Sequence, residues 1–179
     1  MSASKPAEDL GSLGTEGANP AAAELDALSA LEIARILSAE DARVVPAVVH
    51  VLPAIARAID AIAHALSHGG RLIYVGAGSS GRIAALDAAE CPPTFNTDPR
   101  MVQYVFAGGA RALARAAEIN EDSPRLGRQD LAKKRPTKKD VVVGISASGR
   151  TPYTLGALQY GRERGATTVA VTGNPGSAM

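Results

Sequence analysis

"RLIYVGAGSSGRIAALDAAE", residues 71 to 90, changes character twice along its length. Arg71 to Gly76 is an apolar run of the kind that fills a strand buried on both faces. Glycine and serine then take over, and the stretch from Ser80 to Glu90 reads as a helix. Strand, glycine-rich turn and helix make the first half of a βαβ unit.

The same grammar recurs downstream. "MVQYVF" (101 to 106) reads as a strand, about 109 to 119 as a helix, "DVVVGIS" (140 to 146) as a strand, Thr151 to Arg164 as a helix and "TTVAVT" (167 to 172) as a strand. This alternation predicts an α/β fold: a three-layer α/β/α arrangement around a parallel, doubly wound, flavodoxin-like sheet with right-handed crossovers. Ligands of such sheets bind at the carboxyl ends of the strands.

Upstream of Arg71 the pattern is helical. Residues 1 to 20, rich in Ser, Gly, Pro and Ala without a period, predict a flexible lead-in. "SALE" (29 to 32) has the spacing of a capping box and opens a short helix to about Leu37. Val48, Leu52, Ile55, Ile59, Ile62 and Leu66 recur every three or four residues, which predicts a second helix from about Val44 to Ser67. Pro46 fits its first turn, Pro53 predicts a kink, and "HGG" (68 to 70) ends it. The expected organisation is a flexible segment (1–20), helices packing on the core (21–70) and a ligand-binding domain (71–179).

Composition narrows the function classes. Hydrophobic residues make up 46% but aromatics only 3%, so the core is packed from Ala, Val, Ile and Leu. With 19 basic and 18 acidic residues the net charge is +1, which argues against nucleic acid or an anionic membrane as partner. The basic run "KKRPTKK" (133 to 139) reads as a solvated connection, with a recognition patch as the less favoured alternative. Cys91 has no disulfide partner, and His50, His64 and His68 are not spaced as metal ligands. "MSASKPAEDLGSLG" lacks a signal-type apolar core and no stretch reaches membrane-span length, so a cytosolic protein is expected.

"VGAGSSGR" (75 to 82) is nearly restated by "VGISASGR" (143 to 150). The first copy literally matches GxGxxG, but a dinucleotide site needs a carboxylate at the end of the next strand, which instead ends "VFAGG". A P-loop fails because Arg82 stands where its Lys and hydroxyl residue would have to match. What remains is an anion site: backbone NH groups, a helix dipole, Gly78 in the turn and the hydroxyls of Ser79 and Ser80. The second copy offers Ser146, Ser148 and Thr151, with Gly149 allowing close approach. Gly and Ser also merely suit tight turns. Two copies in one sheet favour the other reading, that hydroxyls from neighbouring strand ends surround one phosphate and reach its sugar.

"GAGSSGR" with "SASGRT" resembles the sugar isomerase (SIS) domain. "LDAAECPPTF" (86 to 95) together with "VVVGISASGRTPYTLGAL" (141 to 158) is similar, more specifically, to the N-acetylmuramic acid 6-phosphate etherase family. The resemblance runs from "TEGANPAAAELD" (15 to 26) to "GNPGS" (173 to 177). It implies cleavage of the D-lactyl ether at carbon 3 of an amino-sugar 6-phosphate by elimination and hydration, with no metal or organic cofactor. By the family's pattern Glu90 in "AAEC" is the acid that protonates lactate, and Glu121 in "EINED" the base at carbon 2. Where the family usually has Thr, Ser79 keeps the hydroxyl. The family's sheet also continues beyond the last residue here, which implies a shortened chain.

Taken without the resemblance, Glu121 is a solvated loop carboxylate beside Asp122. If the helix from Gly81 to Glu90 is unbroken, Glu90 lies about 15 Å from its start, and Glu121 also follows a helix end. Neither then reaches the serine turns of its own chain easily, and a site shared across a homodimer is expected. Two other readings compete: a non-catalytic phosphosugar-binding regulatory module and, less well supported, an aldose-ketose isomerase. Retention of both glutamates favours the enzyme.

Overall fold

The computed structural model describes residues 14–113 and 120–179. Most of the expected flexible lead-in (1–13) and the end of the helix expected over 109 to 119 lie outside the described residues. The chain divides into two compact units at Arg57.

The first unit holds 3-10 turns at Gly14–Glu16, Pro20–Ala22 and Leu25–Ala27, then α1 (Ala30–Asp41) and α2 (Val44–Val49). The capping box is present: Ser29 Oγ accepts from the Glu32 amide, and Glu32 Oε2 accepts from the Ser29 amide at 2.8 Å. The helix expected over 44–67 is two helices, α2 and α3 (Leu52–Ser67). Pro53 sits in the first turn of α3, where its missing N–H costs nothing, and the break between the two helices falls just before it, at His50 and Val51. Gly69, at φ +75°, ends α3.

The second unit is built on four parallel strands: β1 (Leu72–Gly76), β2 (Val102–Phe106), β3 (Val141–Ile145) and β4 (Thr167–Val171), in the order β2-β1-β3-β4. Gly76 pairs in register with Phe106 and with Ile145, so the carboxyl ends are level. Residues alternate between two faces. Ile73, Val75 and Val142 pack with Leu131, Tyr153, Ala157 and Leu158; Leu72, Val102, Val141 and Val143 pack with Ala65 and Ala88. The three-layer, doubly wound sheet is therefore as expected.

α4 differs from expectation. It spans Gly78–Phe95, beginning two residues before Ser80 and running past Glu90 through Pro92 and Pro93, until left-handed Asn96 (φ 52°) stops it. The prolines remove two helical hydrogen bonds, and the helix ends within a turn of them. After β2 come α5 (Gly109–Leu113), α6 (Pro124–Lys133) and, beyond β3, α7 (Pro152–Glu163).

The sequence reading has no helix at α6, whose start is marked by Ser123 as N-cap, accepting from the Leu126 amide at 3.2 Å, and by Pro124 in the first turn. α6 and α7 pack almost backbone to backbone. A Cβ on Gly127 would overlap the Tyr153 carbonyl, and one on Gly156 the Pro124 carbonyl. Around this seam the Tyr153 hydroxyl donates to Asp130 at 2.9 Å. Gly127→Ala is expected to force the helices apart and cost about 2 kcal/mol. The reading is a lower urea midpoint with an unchanged m-value.

Candidate functional site

The crossover from β1 through α4 leads to β2, whereas that from β3 through α7 leads to β4 on the opposite side. Between β1 and β3 the chain direction therefore switches, and neighbouring helices diverge from a crevice above Gly76 and Ile145. Both serine turns open there.

The first turn passes directly into α4. Ala77 is extended (φ −126°, ψ 164°) and offers no side-chain cap, so the first amides of a long helix point outward uncapped. Among the described residues the Ser79 and Ser80 hydroxyls have no hydrogen-bond partner, and Ser79 is exposed. A Cβ on Gly81 would stand 2.8 Å from the Gly76 carbonyl carbon and run into the Phe106 ring, so this glycine lets the helix start close to the strand end.

The second turn is organised otherwise. Ser146, buried, lies with Oγ 2.8 Å from Thr151 Oγ1 and 3.4 Å from Ser148 Oγ, and it accepts from the Gly149 amide at 3.1 Å. Gly149 has φ +67°, which favours glycine. Ser148 Oγ accepts from the Arg150 amide at 3.2 Å. Two stretches alike in sequence thus offer free donors on one side and a preassembled hydroxyl set on the other. Together they can hold a tetrahedral oxyanion and the sugar attached to it.

The loop after β4 holds the second turn in place, a role that the sequence reading missed. Thr172 Oγ1 donates to the Ala147 carbonyl at 3.2 Å, the Gly173 amide to the same carbonyl at 3.0 Å, and the buried Asn174 amide side chain to the Ser148 carbonyl at 3.2 Å. Thr172 and Ser177 fill the space that a Cβ on Gly149 would need. The available signal was "TGNPGS" itself, a cluster of small polar residues at the same sheet edge as the serine turns.

The two glutamates are placed differently from each other. The Glu121 carbonyl accepts from the Tyr153 amide at 2.9 Å, which holds its backbone against the first turn of α7, where Tyr153 stands two residues past Thr151. The Glu121 backbone thus lies beside the start of α7. Glu90 follows Gly78 by twelve residues, about 18 Å along α4. It is exposed, on the side of the helix that carries the exposed Ile83 and Leu86.

Arg82, the arginine of the first motif, donates from Nε to the Leu113 carbonyl at 3.1 Å and from Nη2 to the Ala112 carbonyl at 3.3 Å, tying α4 to α5. Burial, with the Asp87 carboxylate, pushes the Cys91 thiol up, which keeps it protonated and poorly nucleophilic. Among the described residues no group of three or more His, Cys, Asp and Glu is placed to hold a metal ion. A cavity of about 710 Å³ lies elsewhere, against β2 and α6, lined by Tyr104, Phe106, Asn120, Asp130 and Lys133. It contains neither serine turn, and the chemistry favours the switch-point crevice over it.

Known proteins share this fold. The solved phosphoheptose isomerase from Francisella tularensis superposes with a TM-score of 0.63 at 20% identity, covering 84% of this chain and 78% of that one. The phosphoheptose isomerase from Neisseria gonorrhoeae gives 0.54 at 18% identity, covering 78% and 75%. At this identity the likeness is one of fold. In sequence, the chain is 53% identical over 170 residues to an N-acetylmuramic acid 6-phosphate etherase of Glaesserella parasuis serovar 5, covering 95% of this chain and 56% of that protein. It is 51% identical over 164 residues to the one of Crocosphaera subtropica, covering 92% and 54%. The chain thus spans little more than half the length of these relatives. Residues 54–162 match the family described as the glucokinase regulatory protein N-terminal SIS domain. The chain belongs to this SIS-domain family, and its relatives along nearly its whole length are named N-acetylmuramic acid 6-phosphate etherases.

Proposed function

We propose that this chain binds an amino-sugar 6-phosphate between its two serine turns and takes part in cleaving the D-lactyl ether of N-acetylmuramic acid 6-phosphate. The observation that carries the reading is that the two turns follow the paired, level ends of β1 and β3 at the switch point, one with uncapped α4 amides and unpartnered Ser79 and Ser80 hydroxyls, the other with the Ser146, Ser148 and Thr151 cluster. That equipment suits one phosphate and an attached polyol. The etherase names of the relatives supply the reaction.

Cleaving this ether begins with removal of the proton on carbon 2, beside the aldehyde of the open-chain sugar. The bond between carbon 3 and the ether oxygen breaks, the oxygen takes a proton and leaves as D-lactate, and an unsaturated aldehyde remains. Water then adds at carbon 3 to give N-acetylglucosamine 6-phosphate. Two carboxyl groups suffice. Glu121, anchored beside the second turn, is the base at carbon 2. Glu90 is the acid that protonates lactate. A protonated glutamate at neutral pH needs apolar surroundings. Glu90 lies about 18 Å along α4 from its own first turn, so the acid at each site comes from the second copy in a cytosolic homodimer.

D-lactate release from N-acetylmuramic acid 6-phosphate, followed enzymatically, tests the reading. Ser79→Ala removes a hydroxyl bonded to a dianion and is expected to raise KM roughly tenfold or more, in line with about 1.5–3 kcal/mol for such a bond. An unchanged KM would remove the first turn from the phosphate site.

A further inference from the structure

We propose that the open edge of β2 receives an added strand from an acidic, extended segment of a partner protein. The inference goes beyond the phosphosugar reading and does not depend on it. β2 stands at one end of the sheet and pairs only with β1. The Leu72 amide donates to the Met101 carbonyl at 2.9 Å, and the Ala107 amide to the Gly76 carbonyl at 3.2 Å. Successive residues of a strand turn their peptide groups to opposite sides, so Gln103 and Val105 bond toward β1. Val102, Tyr104 and Phe106 turn theirs outward, where they have no hydrogen-bond partner among the described residues.

Every open sheet has edges, and the space beside this one sets it apart. The cavity of about 710 Å³ lies between β2 and α6, and a second of about 290 Å³ lies between β2 and α4. They occupy opposite faces of the sheet: Val105 and Leu126 line the first, Val102 and Ala88 the second, and these pairs belong to different cores. Both cavities reach Tyr104 and Lys134, so they flank the strand on its two sides. The side chains of an added strand alternate between the same two faces. Main-chain bonds then give affinity and the alternate pockets give selectivity.

The charge beside the edge selects an acidic segment. On the α6 side Lys133 holds Asp130 at 2.6 Å, and Asp130 also accepts from the Tyr153 hydroxyl, so that carboxylate is occupied. Lys134 has no carboxylate partner among the described residues. Burial and the Arg71 guanidinium push its ammonium group's pKa down, a cost that an incoming carboxylate would relieve. Arg71 donates to the Lys134 and Arg135 carbonyls, which holds the basic run "KKRPTKK" against the foot of β1, next to β2. On the α4 side Ala88, Pro99 and Val102 leave room for small apolar groups, and Arg100 is bonded to Asp98. Lysine on an edge ordinarily fends off incoming strands; here it turns away basic ones and attracts acidic ones. A nucleic acid fits less well, because the outward carbonyls of Val102, Tyr104 and Phe106 would face its phosphates.

An amide-resolved NMR titration of the chain with a capped eight-residue peptide alternating valine and glutamate tests the proposal without using substrate. The expected result is that the amides of Val102, Tyr104 and Phe106 shift together and exchange more slowly with deuterium oxide. A peptide with lysine in place of glutamate, and an acidic peptide with its backbone nitrogens methylated, are each expected to bind roughly tenfold more weakly or worse. Lys134→Glu should reverse the preference, weakening the acidic peptide and strengthening the basic one, with an unchanged far-UV circular dichroism spectrum. Should that variant fold poorly, the three peptides on the parent chain decide alone. No shift at β2 with the acidic peptide at millimolar concentration overturns the inference, as does equal binding of the acidic, basic and methylated peptides. Shifts at Thr168 and Ala170 of the other edge strand instead, or tighter binding of a single-stranded oligonucleotide to the same β2 amides, also overturn it.

Discussion

Glu90→Gln is expected to reduce D-lactate release by roughly 10²–10⁴-fold while leaving the affinity for N-acetylglucosamine 6-phosphate within about twofold. Glutamine keeps the shape of the side chain but has no carboxyl proton for the departing lactate oxygen. Affinity survives because the serine turns, and not Glu90, hold the phosphate, and this ligand lacks the lactyl group whose oxygen Glu90 protonates. Glu121→Gln should abolish release as well, and solvent exchange separates the two. With the base removed, the carbon 2 proton stops exchanging with deuterium oxide; with only the acid removed, exchange continues. A mixture of Glu90→Gln with Ser79→Ala/Ser148→Ala chains tests the sharing of the site. In mixed dimers the intact turns of one chain meet the intact glutamate of the other, so about a quarter of the sites recover. A site complete within one chain would recover nothing.

Asp140→Ala is expected to cost the fold about 3–5 kcal/mol with little change in phosphosugar affinity of the protein that remains folded. Asp140 is 3% exposed and stands just before β3, at the end of the sheet away from the serine turns. Its carboxylate accepts from the Arg71 amide at 2.9 Å, Arg71 Nε at 3.0 Å, Arg71 Nη2 at 2.8 Å, the Thr137 amide at 2.8 Å and Thr137 Oγ1 at 3.1 Å. Arg71 meanwhile donates to the Lys134 and Arg135 carbonyls. Removing the carboxylate leaves a largely buried guanidinium and two amides without their acceptor, and such orphaned groups dominate the loss. Burial alone would push the Asp140 carboxyl up, but the Arg71 guanidinium and the Thr137 donors outweigh it and hold the group below its ordinary value. The folded pKa is thus lower than the unfolded one, near 3.9. Its contribution is complete above that value and fades as pH falls through the folded pKa. Urea midpoints measured from pH 7 down to pH 2 should therefore converge for the parent chain and Asp140→Ala at the acid end.

The sheet was legible because its strands are short, mostly apolar runs, and all four appear within two residues of where the sequence puts them. The capping box at Ser29 was equally legible, since its partners are three residues apart. What escaped was set by tertiary contact. α6 has two glycine-allowed crossings and a polar outer face, so its periodicity is thin, and its reason to exist is α7. α4 runs past its expected end at Glu90 because Pro92 and Pro93 fall in its last turn, where they break few helical bonds. At the site, the serines could be picked out as a repeated word. That one turn is left open and the other tied internally through Ser146 depends on the loop at Thr172 to Ser177, which no local pattern joins to residue 149. The position of Glu121 beside α7 likewise rests on a single backbone hydrogen bond between distant segments.

The most direct test of the paired serine turns is an amide-resolved NMR titration of the chain with N-acetylmuramic acid 6-phosphate, run beside the unphosphorylated sugar. The account predicts that the phosphorylated sugar alone moves the amides of Gly78 to Ser80 and of Ser146 to Thr151 together, along one binding isotherm. Shifts confined to the β2–α6 groove around Asn120 and Lys133, or in one turn without the other, would contradict it.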